Sequence, residues 1–201
     1  MNLQSYDQLL LTFKNSEMEN PTVYPWWLSQ AYHLVKHSVN LLHFCTAESY
    51  FKNPELSAYI AKLVGGELHH DKLLLNDLKF LRKELQAESP YVRSLIANQY
   101  FQIQRYNPYY FLGYVYLLEK LAIDFGSELS RKVKEKYHGG YSFLKVHGEE
   151  DVEHVREALH FIEKLPSKDR EAVFQGFNDS VVLYQNLMTQ TQTQKHLSPA
   201  A

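Results

Sequence analysis

Apolar residues recur at helical spacing along nearly the whole chain, and Pro and Gly residues separate the periodic segments. No segment shows the strict alternation of apolar and polar residues that predicts a half-buried strand. The pattern predicts about seven helices, near residues 5–17, 26–51, 54–85, 90–106, 108–137, 141–165 and 167–188. Short connections join them, which is typical of an all-α helical bundle with a single domain over residues 1–188. The polar residues 189–201 are expected to form a flexible C-terminal tail.

Two pairs of glycines interrupt this pattern. Gly65 and Gly66 fall inside the third predicted helix, where each glycine costs roughly 1 kcal/mol relative to alanine. The pair therefore predicts either a kink or a close approach of another group to the backbone. Gly139 and Gly140 fall between two predicted helices and indicate a turn.

The composition narrows the class of protein. The 201 residues carry a formal net charge of −2, so there is no electrostatic reason to expect binding to nucleic acid or to an anionic membrane. The apolar runs are too short for a membrane span. A single cysteine, Cys45, excludes a disulfide framework and a cysteine-rich zinc site. Residues 1–11 lack the pattern of a signal peptide, and a cytoplasmic location is expected.

The densest group of candidate ligands lies in the segment 147–154. On a helix, Asp151 lies about 40° from His147, and His154 about 20° to its other side. Two imidazoles and a carboxylate would thus share one narrow face. Iron and manganese favour such mixed nitrogen and oxygen ligands.

Two further candidate groups precede this segment. Glu67 and His70 are three residues apart, so on one helix they would point to the same side. Glu-x-x-His is a chelating unit of helical di-iron carboxylate proteins. Glu119 interrupts an otherwise apolar face, and a buried carboxylate needs a partner or a metal ion.

Each group also has a structural explanation. His154 could pair with Glu150, Glu67 with His70 could be a solvated surface pair, and Glu119 could form a salt bridge. The occurrence of all three groups on three helices favours a metal centre instead. Three carboxylates and three imidazoles would nearly neutralise two Fe(II) ions, a composition suited to an oxygen-activating site.

Three segments resemble one known family. They are residues 71–78, the Gly113-Tyr114 helix that ends at Glu119, and His147-x-x-x-Asp151-x-x-His154. These are similar to the motifs of the iron-containing redox enzymes, the haem-oxygenase-like di-iron oxidases and oxygenases. Residues 32–38 resemble the family more loosely, and the resemblance covers about residues 25–188.

This resemblance implies a haem-oxygenase-like (TenA-like) helical bundle without haem. It implies a non-haem di-iron enzyme that uses O2 to oxidise a small organic substrate, amino-acid-like or fatty-acid-like. The family implies two bound Fe(II) ions, with manganese as the alternative metal. An external electron donor and a homodimer are both possible. Six residues are carried over as metal ligands: Glu67, His70, Glu119, His147, Asp151 and His154. His69 and Asp71 could compete as ligands, because Gly66 and His69 depart from the family pattern.

An apolar pocket is expected beside these ligands. Its predicted lining is Trp26, His33, His37, Phe111, Tyr114, Val115 and Leu118. One distance limits the hypothesis: a straight helix from Glu119 to Gly139 would be about 30 Å long and would separate Glu119 from His147. A bend is therefore required, and Gly126 is its predicted position.

Four alternatives remain open from the sequence. A ferritin-like bundle would add Glu48 as a ligand and leave His147 unexplained. A haem oxygenase would use His33, His37 or His43 as the axial ligand. A thiaminase-like hydrolase would need Cys45 as a nucleophile. The last alternative is a metal-free helical interaction protein.

Overall fold

The structure is a computed structural model that describes residues 1–194, and the side chains of all of these except residues 149–151. The described part consists of helices: α1 (Leu3–Lys14), α2 (Val23–Ser49), α3 (Pro54–Glu67), α4 (His70–Phe80), α5 (Pro90–Arg105), α6 (Tyr109–Leu121), a π-helical turn (Ala122–Gly126), α7 (Ser127–Tyr137), α8 (Ser142–Glu163) and α9 (Ser167–Thr193). The all-α prediction is confirmed.

Three predicted helices differ in length or continuity. The predicted helix 54–85 is two helices, α3 and α4, which are separated at residues 68 and 69. The predicted helix 108–137 contains the π-helical turn between α6 and α7. The last helix continues to Thr193 because its final turns still bury apolar and polar side chains, Thr191 among them. The remaining tail residues, 195–201, lie outside the described part of the chain.

Helices α6 and α9 form the centre of the bundle. Nearly all side chains of α6 are buried, and α6 packs along the length of α9. Two glycines make this contact unusually close. A Cβ atom on Gly113 would collide with the backbone at Val173, and one on Gly176 would collide with the backbone at Tyr110. The close crossing therefore depends on the absence of side chains at these two positions.

The N-terminus of α8 is held by a residue of α4. The carboxylate of Asp77, which is 3% exposed, accepts hydrogen bonds from the amides of Ser142 and Phe143. The first amides of a helix have no partner within the helix, so this side chain satisfies two of them. Asp77 thus fixes where α8 begins relative to α4.

The π-helical turn is attached to α1 by a polar cluster. The Tyr6 hydroxyl donates to Asp124 Oδ2 at 2.8 Å, and Lys120 Nζ contacts the same oxygen at 2.8 Å.

None of the helices in residues 1–194 combines the length and apolar character needed to cross a membrane.

Candidate metal centre

Glu67 and His70 belong to two different helices. Glu67 is the last residue of α3 and His70 the first of α4. Between them, Leu68 is extended and His69 has left-handed backbone torsions, with φ = 73°. The prediction that one continuous helix carries both candidate ligands is therefore wrong. The corner still brings Glu67 Oε2 within 3.8 Å of His70 Nδ1.

No other group approaches the backbone closely at Gly65 and Gly66, the two glycines just before this corner. A Cβ atom on Gly65 would meet nothing within 4 Å, and one on Gly66 would lie 3.9 Å from His154 Cε1. That distance is an ordinary van der Waals contact. It places His154 of α8 beside the end of α3, next to Glu67.

Glu119 and His154 form a second pair. Glu119 lies in the last turn of α6, is 9% exposed, and its Oε1 lies 3.9 Å from His154 Nδ1. The helix from Glu119 to Tyr137 is not a regular α-helix, since the π-helical turn begins three residues after Glu119 and ends at Gly126. The π-helical turn thus ends at Gly126, the residue at which the sequence analysis placed a bend.

His147 joins the two pairs. Its ring lies 4.8 Å from the ring of His70 between centroids, in an edge-to-face arrangement, and 4.3 Å from the ring of Phe143. His147 lies in the second turn of α8, and the cap from Asp77 holds the start of this helix against α4. His70, His147 and the two glutamates thus occupy neighbouring elements around the same region.

Three other residues named from the sequence lie near this region. The side chain of Asp151 lies outside the described residues, although the residue itself lies within α8. His69 is exposed at the corner between α3 and α4. Asp71 is half-buried in the first turn of α4.

A cavity of about 140 Å³ lies against these side chains. Its polar lining includes Glu67, Glu119, His147 and His154. The rest of its wall is mainly apolar and includes the four residues of α6 predicted to line a pocket: Phe111, Tyr114, Val115 and Leu118. A cavity of this size can hold a molecule as large as benzene.

Helix α2 contributes to this cavity other residues than those predicted to line a substrate pocket. Trp26, His33 and His37 do not line the cavity, and Trp27 does. Successive residues of a helix are about 100° apart, so Trp26, His33 and His37 share a side of α2 that is turned about a quarter of the helix circumference from Trp27. Because α2 is buried on several sides, its apolar pattern does not reveal which side faces the cavity.

The histidines of α2 have other surroundings. His33 Nε2 hydrogen-bonds the Gln86 carbonyl at 2.8 Å, and Lys36 Nζ lies 3.1 Å from His33 Nδ1. Partial burial, together with the nearby Lys36 charge, lowers the pKa of His37. His43 is exposed. These positions give no support to an axial haem ligand from α2.

Cys45 is fully buried. Its Sγ lies 3.9 Å from the Ser49 hydroxyl and 3.8 Å from the Pro108 carbonyl. Burial raises the pKa of the Cys45 thiol to about 12. A neutral thiol is a poor nucleophile, so this cysteine does not fit the hydrolase alternative.

Buried tyrosines and a tryptophan, which the sequence did not single out as site residues, lie near the carboxylates. Burial, and then the charges of Glu119 and Glu157, raise the pKa of Tyr59 far above its usual range. Trp27 and Tyr184 line the cavity. Their only sequence signal was the high number of aromatic residues, which is equally typical of a hydrophobic core.

The candidate donors of the described residues come together in pairs. Among the residues that the structure describes, no three His, Cys, Asp or Glu side chains come together closely enough to hold one ion. Two donors that bind one transition-metal ion lie at most about 4.2 Å apart, since each bond is about 2.1 Å long. The Glu67–His70 and Glu119–His154 pairs are each within that limit. Their mixed oxygen and nitrogen donors fit iron or manganese in type.

Solved structures resemble the whole fold. A domain of unknown function with a haem-oxygenase-like fold from Shewanella denitrificans superposes with a TM-score of 0.83 at 16% identity, covering 95% of this chain and 90% of that chain. A TenA homologue from Pseudomonas syringae gives a TM-score of 0.67 at 14% identity, covering 95% and 92% of the two chains. A TenA homologue from Pyrococcus furiosus gives 0.65 at 12% identity, covering 93% and 99%. At these identities the likeness establishes the fold, which is haem-oxygenase-like.

The sequence comparison establishes the family. No curated protein matches the chain. The family model of the iron-containing redox enzymes matches residues 25–185, which include all six residues proposed as metal ligands. The chain therefore belongs to the iron-containing redox enzyme family.

Proposed function

We propose that the protein is a non-haem di-iron oxidase or oxygenase that uses O2 to oxidise a small organic substrate. The observation that carries this proposal is the convergence of two Glu–His pairs and His147 beside one mainly apolar cavity, with His70 next to Glu67 and His147 and the other four side chains on the cavity wall. The residues that would hold the metal ions are Glu67, His70, Glu119, His147, Asp151 and His154.

The charge of this set suits two divalent ions. Three carboxylates offset most of the four positive charges of two Fe(II) ions, and the three imidazoles complete a mixed donor set. When bound, the iron would supply the activation of O2, and manganese is the alternative metal. An external reductant would restore the starting oxidation state.

The chain itself would provide the surroundings of the reaction. The mainly apolar wall of the cavity would exclude water from the reacting atoms. Tyr114 lines this wall, and burial raises the pKa of its hydroxyl far above the usual range. The hydroxyl therefore keeps its proton near neutral pH and can donate a hydrogen bond to a bound molecule.

The proposal is tested by measuring iron in protein that is purified without air and reconstituted with Fe(II). We expect close to two iron ions per chain, and a change in optical absorption when O2 is added. His154→Ala and Asp151→Ala should lower the iron content by at least one ion per chain while the far-ultraviolet circular dichroism stays unchanged.

The matched control is His160→Ala, because His160 is an exposed histidine on the same helix. This variant should bind as much iron as the natural sequence. Equal iron contents in all four proteins, with unchanged folding, would contradict the proposal and favour the metal-free interaction protein. Stoichiometric haem uptake, seen as a strong visible absorption band, would favour the haem oxygenase alternative.

A further inference from the structure

The cavity beside the proposed metal centre differs from a binding site for a charged molecule. Among the described residues, its wall contains no lysine or arginine, and its charged groups are the carboxylates of Glu67 and Glu119. A free carboxylate placed in this cavity would lose its hydration without gaining an ion pair, because the charged groups of the wall carry the same sign.

The cavity wall nevertheless contains hydrogen-bond donors. The Tyr114 hydroxyl is buried and makes no hydrogen bond of normal geometry within the described residues, and the buried Trp27 indole nitrogen has the Tyr184 hydroxyl as a neighbour without such a bond. Both residues line the cavity, with exposed fractions of 2% and 6%. Tyr114 shares this lining with Tyr184 and Glu67.

Aromatic rings surround these donors. Phe13 lies 4.7 Å from Phe125 and 5.7 Å from Tyr184 between ring centroids, and all three rings line the cavity. Flat walls of this kind favour a flat ligand, because ring faces and edges pack closely against one another. The volume of about 140 Å³ matches a single ring and is too small for a long acyl chain.

We propose that the cavity binds the body of the substrate, and that this body is a compact, uncharged, ring-sized group with a hydrogen-bond acceptor facing Tyr114 and Trp27. This inference rests on the proposed function only in calling the bound molecule a substrate. It replaces the expectation of a fatty-acid-like or amino-acid-like substrate with a neutral one.

Binding is tested on the full-length chain without iron, by calorimetry and by the shift in melting temperature, with three probes of similar size. These are benzamide, which is neutral with an acceptor, benzoate, which is its anionic counterpart, and ethylbenzene, which has no polar group. Benzamide is expected to bind most tightly, and benzoate at least tenfold more weakly.

Tyr114→Phe removes the donor and keeps the ring. It should weaken benzamide binding about threefold to tenfold and leave ethylbenzene binding nearly unchanged. Tyr116→Phe is the matched control, since Tyr116 is a buried tyrosine on the same helix that does not line the cavity. Trp27→Phe removes the second donor and provides the same test if Tyr114→Phe does not fold.

Three outcomes would overturn the inference: benzoate binding as tightly as benzamide, equal losses for benzamide and ethylbenzene in Tyr114→Phe, or no binding of any probe at millimolar concentration. Part of each iron-free preparation is then reconstituted with Fe(II), and the iron that it binds is measured separately. Failure of the ligand test with two irons bound would reject the substrate class alone, and failure of iron binding with benzamide bound would reject the di-iron proposal alone.

Discussion

Asp77 and Ser142 are joined by two hydrogen bonds, one from the Ser142 amide to Oδ1 at 2.9 Å and one from the Ser142 hydroxyl to the same oxygen at 2.7 Å. The Phe143 amide adds a third, to Oδ2 at 3.0 Å. A helix is thus capped by a carboxylate that lies 65 residues earlier in the chain. The cap fixes the start of α8, and with it the position of His147 opposite His70.

Replacement of Asp77 by alanine should destabilise the protein strongly. Two amides at the start of α8 would lose a charged acceptor, so we expect the free energy of unfolding to fall by roughly 2–3 kcal/mol. Urea denaturation measures this change. Asp7→Ala, at an exposed position of α1, is the control and should change the stability by less than about 0.5 kcal/mol. Equal effects of the two substitutions would show that the cap does not contribute.

Replacement of Gly113 by alanine should separate α6 from α9. The added methyl group would collide with the backbone of α9 near Val173, and overpacking of this kind costs about 1–3 kcal/mol or more. Gly65→Ala introduces the same methyl group into α3 where nothing lies within 4 Å. That variant should be stabilised by roughly 0.5–1 kcal/mol through helix propensity. Thermal unfolding of both variants checks the opposite signs.

Replacement of His33 by alanine should lower stability without affecting iron. The hydrogen bond between His33 and the Gln86 carbonyl holds the segment before α5 against α2, and Gln86 is exposed, so water can replace the lost donor. We expect the free energy of unfolding to fall by about 0.5–1.5 kcal/mol. His43→Ala, on the exposed part of α2, is the control and should leave stability nearly unchanged. A lower iron content in His33→Ala would contradict this expectation and show that His33 contributes to metal binding.

The protein should lose stability in alkaline solution. Burial raises the pKa of Cys45 from 9.0 to about 12, and that of Tyr184 from 10.0 to about 12. Both groups are mostly neutral in both states below about pH 8, so they hardly alter stability there. Between about pH 9 and pH 12 the unfolded chain ionises first, and the free energy of unfolding falls by up to about 1.4 kcal/mol per pH unit for each group.

Urea denaturation between pH 7 and pH 11 measures this decline. Cys45→Ala and Tyr184→Phe each remove one ionising group and should make the decline less steep, whatever their effect at pH 7. A free energy of unfolding that stays constant up to pH 11 would contradict the assignment of these groups as buried and neutral.

The sequence predicted most helix boundaries because local signals set them. Pro54 and Pro90 begin α3 and α5, as proline at the first helical position does. The corner at His69 has no such signal, since a left-handed histidine is unfavourable and persists only where the surrounding structure supports it. The cap from Asp77 was likewise not predictable, because it depends on how α4 and α8 pack.

The candidate site was predicted in part for the same reason. Glu119 stood out because a carboxylate on an apolar face is costly, and this signal does not depend on neighbouring helices. The residues of α2 that line the cavity could not be predicted, because α2 is buried on several sides and its sequence does not show which side faces the cavity. Trp27 and Trp26 are equally hydrophobic, and only the packing of the bundle distinguishes them.

The corner between Glu67 and His70 changes how an E-x-x-H signature is to be interpreted in related chains. Here the proximity of the two side chains comes from a bend of the backbone and not from helix pitch. A homologue that keeps both letters but replaces the intervening residues with strong helix formers would straighten this bend and turn one of the two side chains elsewhere. Matching letters alone would then misidentify a chain that has lost the geometry.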